Sequence, residues 1–164
     1  MHHKYGWFAV IVVALVSIIS VLSGCSRVAF RESKEEIFSN DYDLLALVSD
    51  YLVELEHERV YITSTFLDGE ISVDGSTYWI DDEGIVHAIM LLEESGCTVI
   101  RKYDGIVTFL YWSTLDASKG FAYSSNGINP QVDFQTHLEK LSMDNWFYYE
   151  ANYNMWKLEN QKSK

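Results

Sequence analysis

The side chains best suited to proton transfer in this 164-residue chain are five histidines set among 24 acidic residues. His57 follows a predicted helix inside the acidic segment Glu54, Glu56 and Glu58, His87 stands four residues after Glu83, and His137 lies near a segment whose periodicity fits either strand or helix. A hydrolase needs a nucleophile activated by such a base. Serines are plentiful, yet no histidine falls in a recognisable nucleophile or metal motif. Ser118 beside Lys119 is not the Ser-x-x-Lys spacing of penicillin-recognising enzymes. Glu83 and His87 share a helical face, which suits a metal pair or an acid/base pair, but without a third ligand they read as an exposed salt-linked pair. The carboxylates around Asp68-Gly69 and Asp74-Gly75 lack the alternating acidic positions and glycine placement of an EF-hand. Glycosidase carboxylates are set by spatial separation, and a chain this acidic offers pairs everywhere. These residues assign no catalytic group, no metal ligand and no cofactor.

The two cysteines are more informative. Cys97 precedes Thr98, Val99 and Ile100, a strand-like stretch, and reads as a small buried apolar residue. Cys25 closes an apolar run that begins at Trp7, with Lys4 in front of it, following the plan of a secretory signal. The residues Leu22, Ser23, Gly24 and Cys25 resemble the lipobox of bacterial lipoproteins. That resemblance implies a diacylglyceryl group on the Cys25 sulfur, cleavage before it, and a mature chain starting there. Stable anchoring takes two or more acyl chains of the palmitate type, each buried methylene contributing about 0.8 kcal/mol. The alternative is an uncleaved helix, since a run of this length is just able to span a bilayer. Arg27, Arg31 and Lys34 follow the run and blunt any orientation argument from positive charge. Both readings tether the domain to a membrane.

Residues beyond the signal are enough for one ordinary domain with a real core. Removing residues 1–24 takes one of the 12 basic residues and none of the 24 acidic ones, so the net charge moves from −12 to −13. Nucleic acid and anionic lipid surfaces are disfavoured by such a charge, and a basic protein or another envelope component is favoured. Residues 25–33 form the lipidated cysteine and a linker, whose eight residues from Ser26 reach about 26 Å when fully extended.

The domain is expected over residues 34–158, with a tail at 159–164. Ser33 and Glu36 have capping-box spacing, with Ser39 and Asn40 a second possible start; the helix is expected from about Asp41 to Glu56. Leu44, Leu45, Val48, Tyr51, Leu52 and Leu55 share its apolar stripe. Val60–Phe66, Ile71–Val73 and Thr77–Ile80 read as strands joined by Asp-Gly turns. A second helix is expected between Asp82 and Ser95, stopped by Gly96. Strands follow at Cys97–Lys102, Ile106–Trp112, Phe121–Ser124 and Trp146–Glu150, with Phe134–Leu141 left open between strand and helix. The sum is an α+β domain, an antiparallel sheet of about six short strands with two helices on one face.

The stretches Phe109–Thr114, Gly120–Gly127 and Leu138–Glu150 resemble small uncharacterised proteins of low-GC Gram-positive bacteria. The resemblance implies a discrete bacterial domain and carries no functional residue. Trp146, Tyr148, Trp112 and Trp156 form a candidate binding face, because adjacent strand residues point to opposite sides and half of the aromatic strand must face away from the helices. The competing reading has the C-terminal segment covering that row. The expected function is a membrane-anchored extracytoplasmic lipoprotein that binds, in an accessory or inhibitory role, instead of catalysing. Its alternatives are a small envelope hydrolase acting on wall glycan or peptide, and an N-terminally membrane-spanning protein with an exported structural domain.

Overall fold

The computed structural model describes residues 33–63 and 69–161. The apolar run, Leu22, Ser23, Gly24, Cys25 and the turn residue Asp68 lie outside the described residues. Within them the fold is α+β: one antiparallel sheet of eight strands and three helices. The elements are α1 (Lys34–Glu54), β1 (Arg59–Thr63), β2 (Glu70–Val73), β3 (Ser76–Trp79), α2 (Glu83–Glu94), β4 (Val99–Tyr103), β5 (Ile106–Ser113), β6 (Ala117–Ser124), β7 (Gln135–Lys140), β8 (Trp146–Asn152) and α3 (Tyr153–Gln161).

The sheet order is β3-β2-β1-β4-β5-β6-β8-β7. Local chemistry explains much of it. Asp74-Gly75 and Asp104-Gly105 both take positive φ, at 49° and 82° and at 49° and 74°, which is the backbone of a tight hairpin turn. α2 begins where the Asp82 carboxylate accepts from the Gly84 and Ile85 amides. It ends in paired bonds from Gly96 N to Glu93 O and from Cys97 N to Leu92 O, with Gly96 at φ +110°.

The core lies on one side of the sheet. Phe38 of α1 meets Phe121 and Trp146 at ring distances of 5.2 and 5.4 Å. Ile89 of α2 shares a crevice with Ile62 and Ile100. These strand residues occupy one face, because Ile62 pairs with Ile100, Ile100 with Phe109, and Phe109 with Phe121. Two charged side chains belong to this core. Asp41 accepts from the Tyr111 hydroxyl and from Ser95 Oγ. Lys102 shares the buried parity of Ile100, and its ammonium donates to the carbonyls of Leu55 at 2.6 Å and Val53 at 3.4 Å, capping the end of α1. Burial pushes the Lys102 ammonium below its usual pKa.

Four expectations change. α1 starts at Lys34, not near Asp41, because Ser33 Oγ accepts from the Glu36 amide. The sheet has eight strands instead of about six, and Gln135–Lys140, in the segment open between strand and helix, resolves as an edge strand against β8. β6 begins at Ala117, four residues before the expected Phe121, because Thr114 N bonds to Ala117 O and tightens the turn. A third helix, α3, occupies Tyr153–Gln161 where none was expected.

Candidate functional site: an arginine–tyrosine groove

On the side of the sheet away from α1 and α2, the outward parity of β1 is Arg59, Tyr61 and Thr63, and that of β4 is Val99, Arg101 and Tyr103. Antiparallel register sets Arg59 opposite Tyr103 and Tyr61 opposite Arg101, so two arginines and two tyrosines alternate as a checkerboard. The Arg59 guanidinium lies 5.3 Å from the Tyr103 ring centroid, and that of Arg101 lies 5.2 Å from the Tyr61 centroid. A planar guanidinium stacks on a ring and keeps its N–H edges free for an anion, which an ammonium does less well. Arg59 and Arg101 are the only arginines among the described residues, and neither is ion-paired there. Asp74, which follows β2, is already engaged: Oδ1 accepts from the Arg59 backbone amide and Oδ2 lies 3.5 Å from His57 Nδ1.

The checkerboard forms one end of an open groove of about 1540 Å³. Moving along the strands, the rows become Thr108 beside Arg101, then Leu110 beside Val99, and finally the β5–β6 turn. Leu115 in that turn is 99% exposed, and Phe134 and Tyr153 line the groove near it. One wall is a small second core, where Ala122, Phe147 and Tyr149 pack with Ile106, Val132 and Leu138. Burial pushes the Tyr149 phenol well above its usual pKa, and the positive charge of Arg101 partly offsets that rise. The rim carries Asp116 and Asp133.

The aromatic face expected from the sequence is dispersed. Trp146 is 2% exposed, packed among Phe38, Phe109 and Tyr123, and Tyr148 is buried beside Phe121 with its hydroxyl on Glu150. Both are core residues, because α1 covers their side of the sheet. Phe147 and Tyr149 point the other way and are covered in turn by the segment bearing Val132. Trp112 is exposed on β5 with the Lys119 ammonium 5.8 Å from its ring centroid, and Trp156 is exposed on α3 beside Phe134. The structure does not bring the four together.

The histidines are also separate. His57 pairs with Asp74 and packs on Tyr78. His137 lies 3.4 Å from Glu139 on β7, and His87 is exposed on α2. Cys97 is buried, and burial pushes its thiol up to about 12. Among the described residues no group of three or more His, Cys, Asp or Glu side chains is arranged to hold a metal ion, and no helix is long and apolar enough to cross a membrane.

The arginine–tyrosine groove escaped the sequence reading. Its signal was the alternation of Arg59 and Tyr61 with Val60 and Ile62, and of Arg101 and Tyr103 with Ile100, a parity that reads equally as an ordinary solvated face. Comparison of the chain with protein-family models, curated proteins and solved structures returns no match.

Proposed function

We propose that this chain is a lipid-anchored extracytoplasmic binding protein, held at a cell membrane through Cys25, with the arginine–tyrosine groove as its recognition surface. The observation that carries the reading is the pair Arg59 and Arg101. Two unpaired guanidinium groups mounted on tyrosine rings in a concave face, in a chain with twice as many acids as bases, have no evident role in stabilising the sheet. Arginine and tyrosine are also the side chains that dominate binding hot spots. The anchor is supported by the lipobox-like Leu22, Ser23, Gly24 and Cys25. The partner at the groove would be an envelope component that brings an acidic group to Arg59 and Arg101, met in an accessory or inhibitory role; a basic protein is favoured only by the acidic surface away from the groove.

Two measurements test this. Replacing Cys25 with Ser is expected to abolish metabolic lipid labelling and leave an unprocessed precursor; continued labelling would overturn the anchor. Site-directed crosslinking from Thr108 in intact membranes is expected to trap a partner that Arg101→Gln loses. Equal recovery of the partner with both forms would remove the groove from recognition.

A further inference from the structure

We infer that the groove binds an anionic amphiphile, a carboxylate or phosphate head joined to an apolar chain. This rests on the binding-protein reading above and names the chemistry of its ligand. Charge complementarity sets the head. Arg59 and Arg101 are diagonal neighbours across β1 and β4, a relationship that places Cα atoms about 7–8 Å apart on one face. Arginine side chains are long enough for both forks to converge on one anion from that spacing, each offering paired N–H donors. Tyr103 and Tyr61 lie beneath the two guanidinium groups and restrain them, so less freedom is lost when the anion arrives.

The rest of the groove is wrong for a purely polar anion. Beyond Thr108 the floor becomes Val99 and Leu110, and the far end presents Leu115, Phe134 and Tyr153. A fully exposed leucine is singular among the described residues, and with its two aromatic neighbours it extends the apolar floor in line with the strands. The cationic and apolar ends therefore lie along one axis, which matches a ligand whose charge sits at one end. The volume, about 1540 Å³, exceeds the roughly 300–1,000 Å³ of a drug-sized site and leaves room for a long chain. Asp116 and Asp133 on the rim disfavour a broad anionic surface or a polyanion, and leave a single charged head as the better fit.

The test uses the full chain reconstituted in phosphatidylcholine vesicles and dodecanoate carrying a terminal diazirine. Crosslinks mapped by mass spectrometry are expected on the segment from Val99 to Leu115. Arg59→Gln and Arg101→Gln are each expected to lower the apparent affinity about tenfold, as loss of one charge-assisted contact implies. Dodecyl phosphate is expected to compete, and dodecyl maltoside is not. Stronger competition by the phosphate than by unlabelled dodecanoate assigns the head to a phospholipid source, and the reverse to a free fatty acid. Crosslinks confined to other segments, indifference to both arginine substitutions, or equal competition by the maltoside would overturn the inference. If the amphiphile fails while partner crosslinking from Thr108 still depends on Arg101, the ligand chemistry falls and the binding reading stands.

Discussion

The Tyr111 hydroxyl donates to Asp41 Oδ2 at 2.5 Å, joining two residues 70 positions apart in the chain. The same oxygen accepts from Ser95 Oγ at 2.6 Å, so one carboxylate ties α1 to β5 and to the end of α2. Asp41→Ala leaves the Tyr111 hydroxyl unsatisfied, while Ser95 Oγ keeps the Leu92 carbonyl at 2.9 Å; it is expected to cost about 2 kcal/mol, whereas Tyr111→Phe keeps the bond between Ser95 and Asp41 and is expected to cost about 1 kcal/mol. Equilibrium denaturation of the two variants checks the order; a Tyr111→Phe cost equal to that of Asp41→Ala would remove Asp41 from the centre of the link.

Cys97 is expected to resist alkylation in the folded protein at pH 8 and to react at once in denaturant, because burial holds its thiol neutral up to about 12. An unfolded thiol ionises near 9.0. Between those values the folded state binds the proton that the unfolded state has released, so the neutral thiol's contribution is complete below pH 9 and is lost as pH rises through the folded value. The loss amounts to about 1.4 kcal/mol per pH unit within that window. Comparing the pH dependence of stability for wild type and Cys97→Ala isolates the slope, and identical slopes would contradict it.

Among the described residues Gly120 is the least replaceable glycine. A Cβ there would sit 1.9 Å from the Phe109 carbonyl oxygen, at the point where β5 is irregular between Leu110 and Trp112. The obstruction is backbone, which cannot swing aside as a side chain can. Gly120→Ala is expected to cost about 3 kcal/mol or more. A thermal melt within 2 °C of wild type would show that the β5–β6 ladder yields more than its geometry implies.

Arg101→Gln and Tyr61→Leu are each expected to change stability by less than about 1 kcal/mol, because exposed cation–π pairs are worth roughly 0.5–1 kcal/mol. A double-mutant cycle in chemical denaturation measures the coupling directly. A coupling of several kcal/mol would make the pair a structural clamp, weakening the case that it exists for a ligand.

Turns and caps were readable from the chain because each rests on two or three adjacent residues. Asp104-Gly105, Asp82 before α2 and Gly96 after it all sit where local chemistry places them. The aromatic strand was misread because Trp146 and Phe147 are both deeply buried, and nothing local says that a strand has cover on both faces. Phe147 owes its cover to Val132, in the connection after Pro130, and to Leu138, in the segment of ambiguous periodicity. Lys102 is a similar case: it takes the buried parity of Ile100 only because the carbonyls of Val53 and Leu55 wait there for its ammonium. The groove depends on register between β1 and β4, which are separated by two strands and a helix, so no short stretch could announce that Arg59 and Arg101 meet.

The position of β8 has a consequence for the order of events in folding. It is the last strand in the chain, yet it lies between β6 and β7 and pairs with both, and its Trp146 closes on Phe38 from the first helix. A polypeptide emerging from its N-terminus therefore holds an unclosed core and two unsatisfied strand edges until residues near Asn152 arrive. Contacts this distant in sequence slow the search for the native state. The domain therefore cannot close its core until nearly all of it has been made.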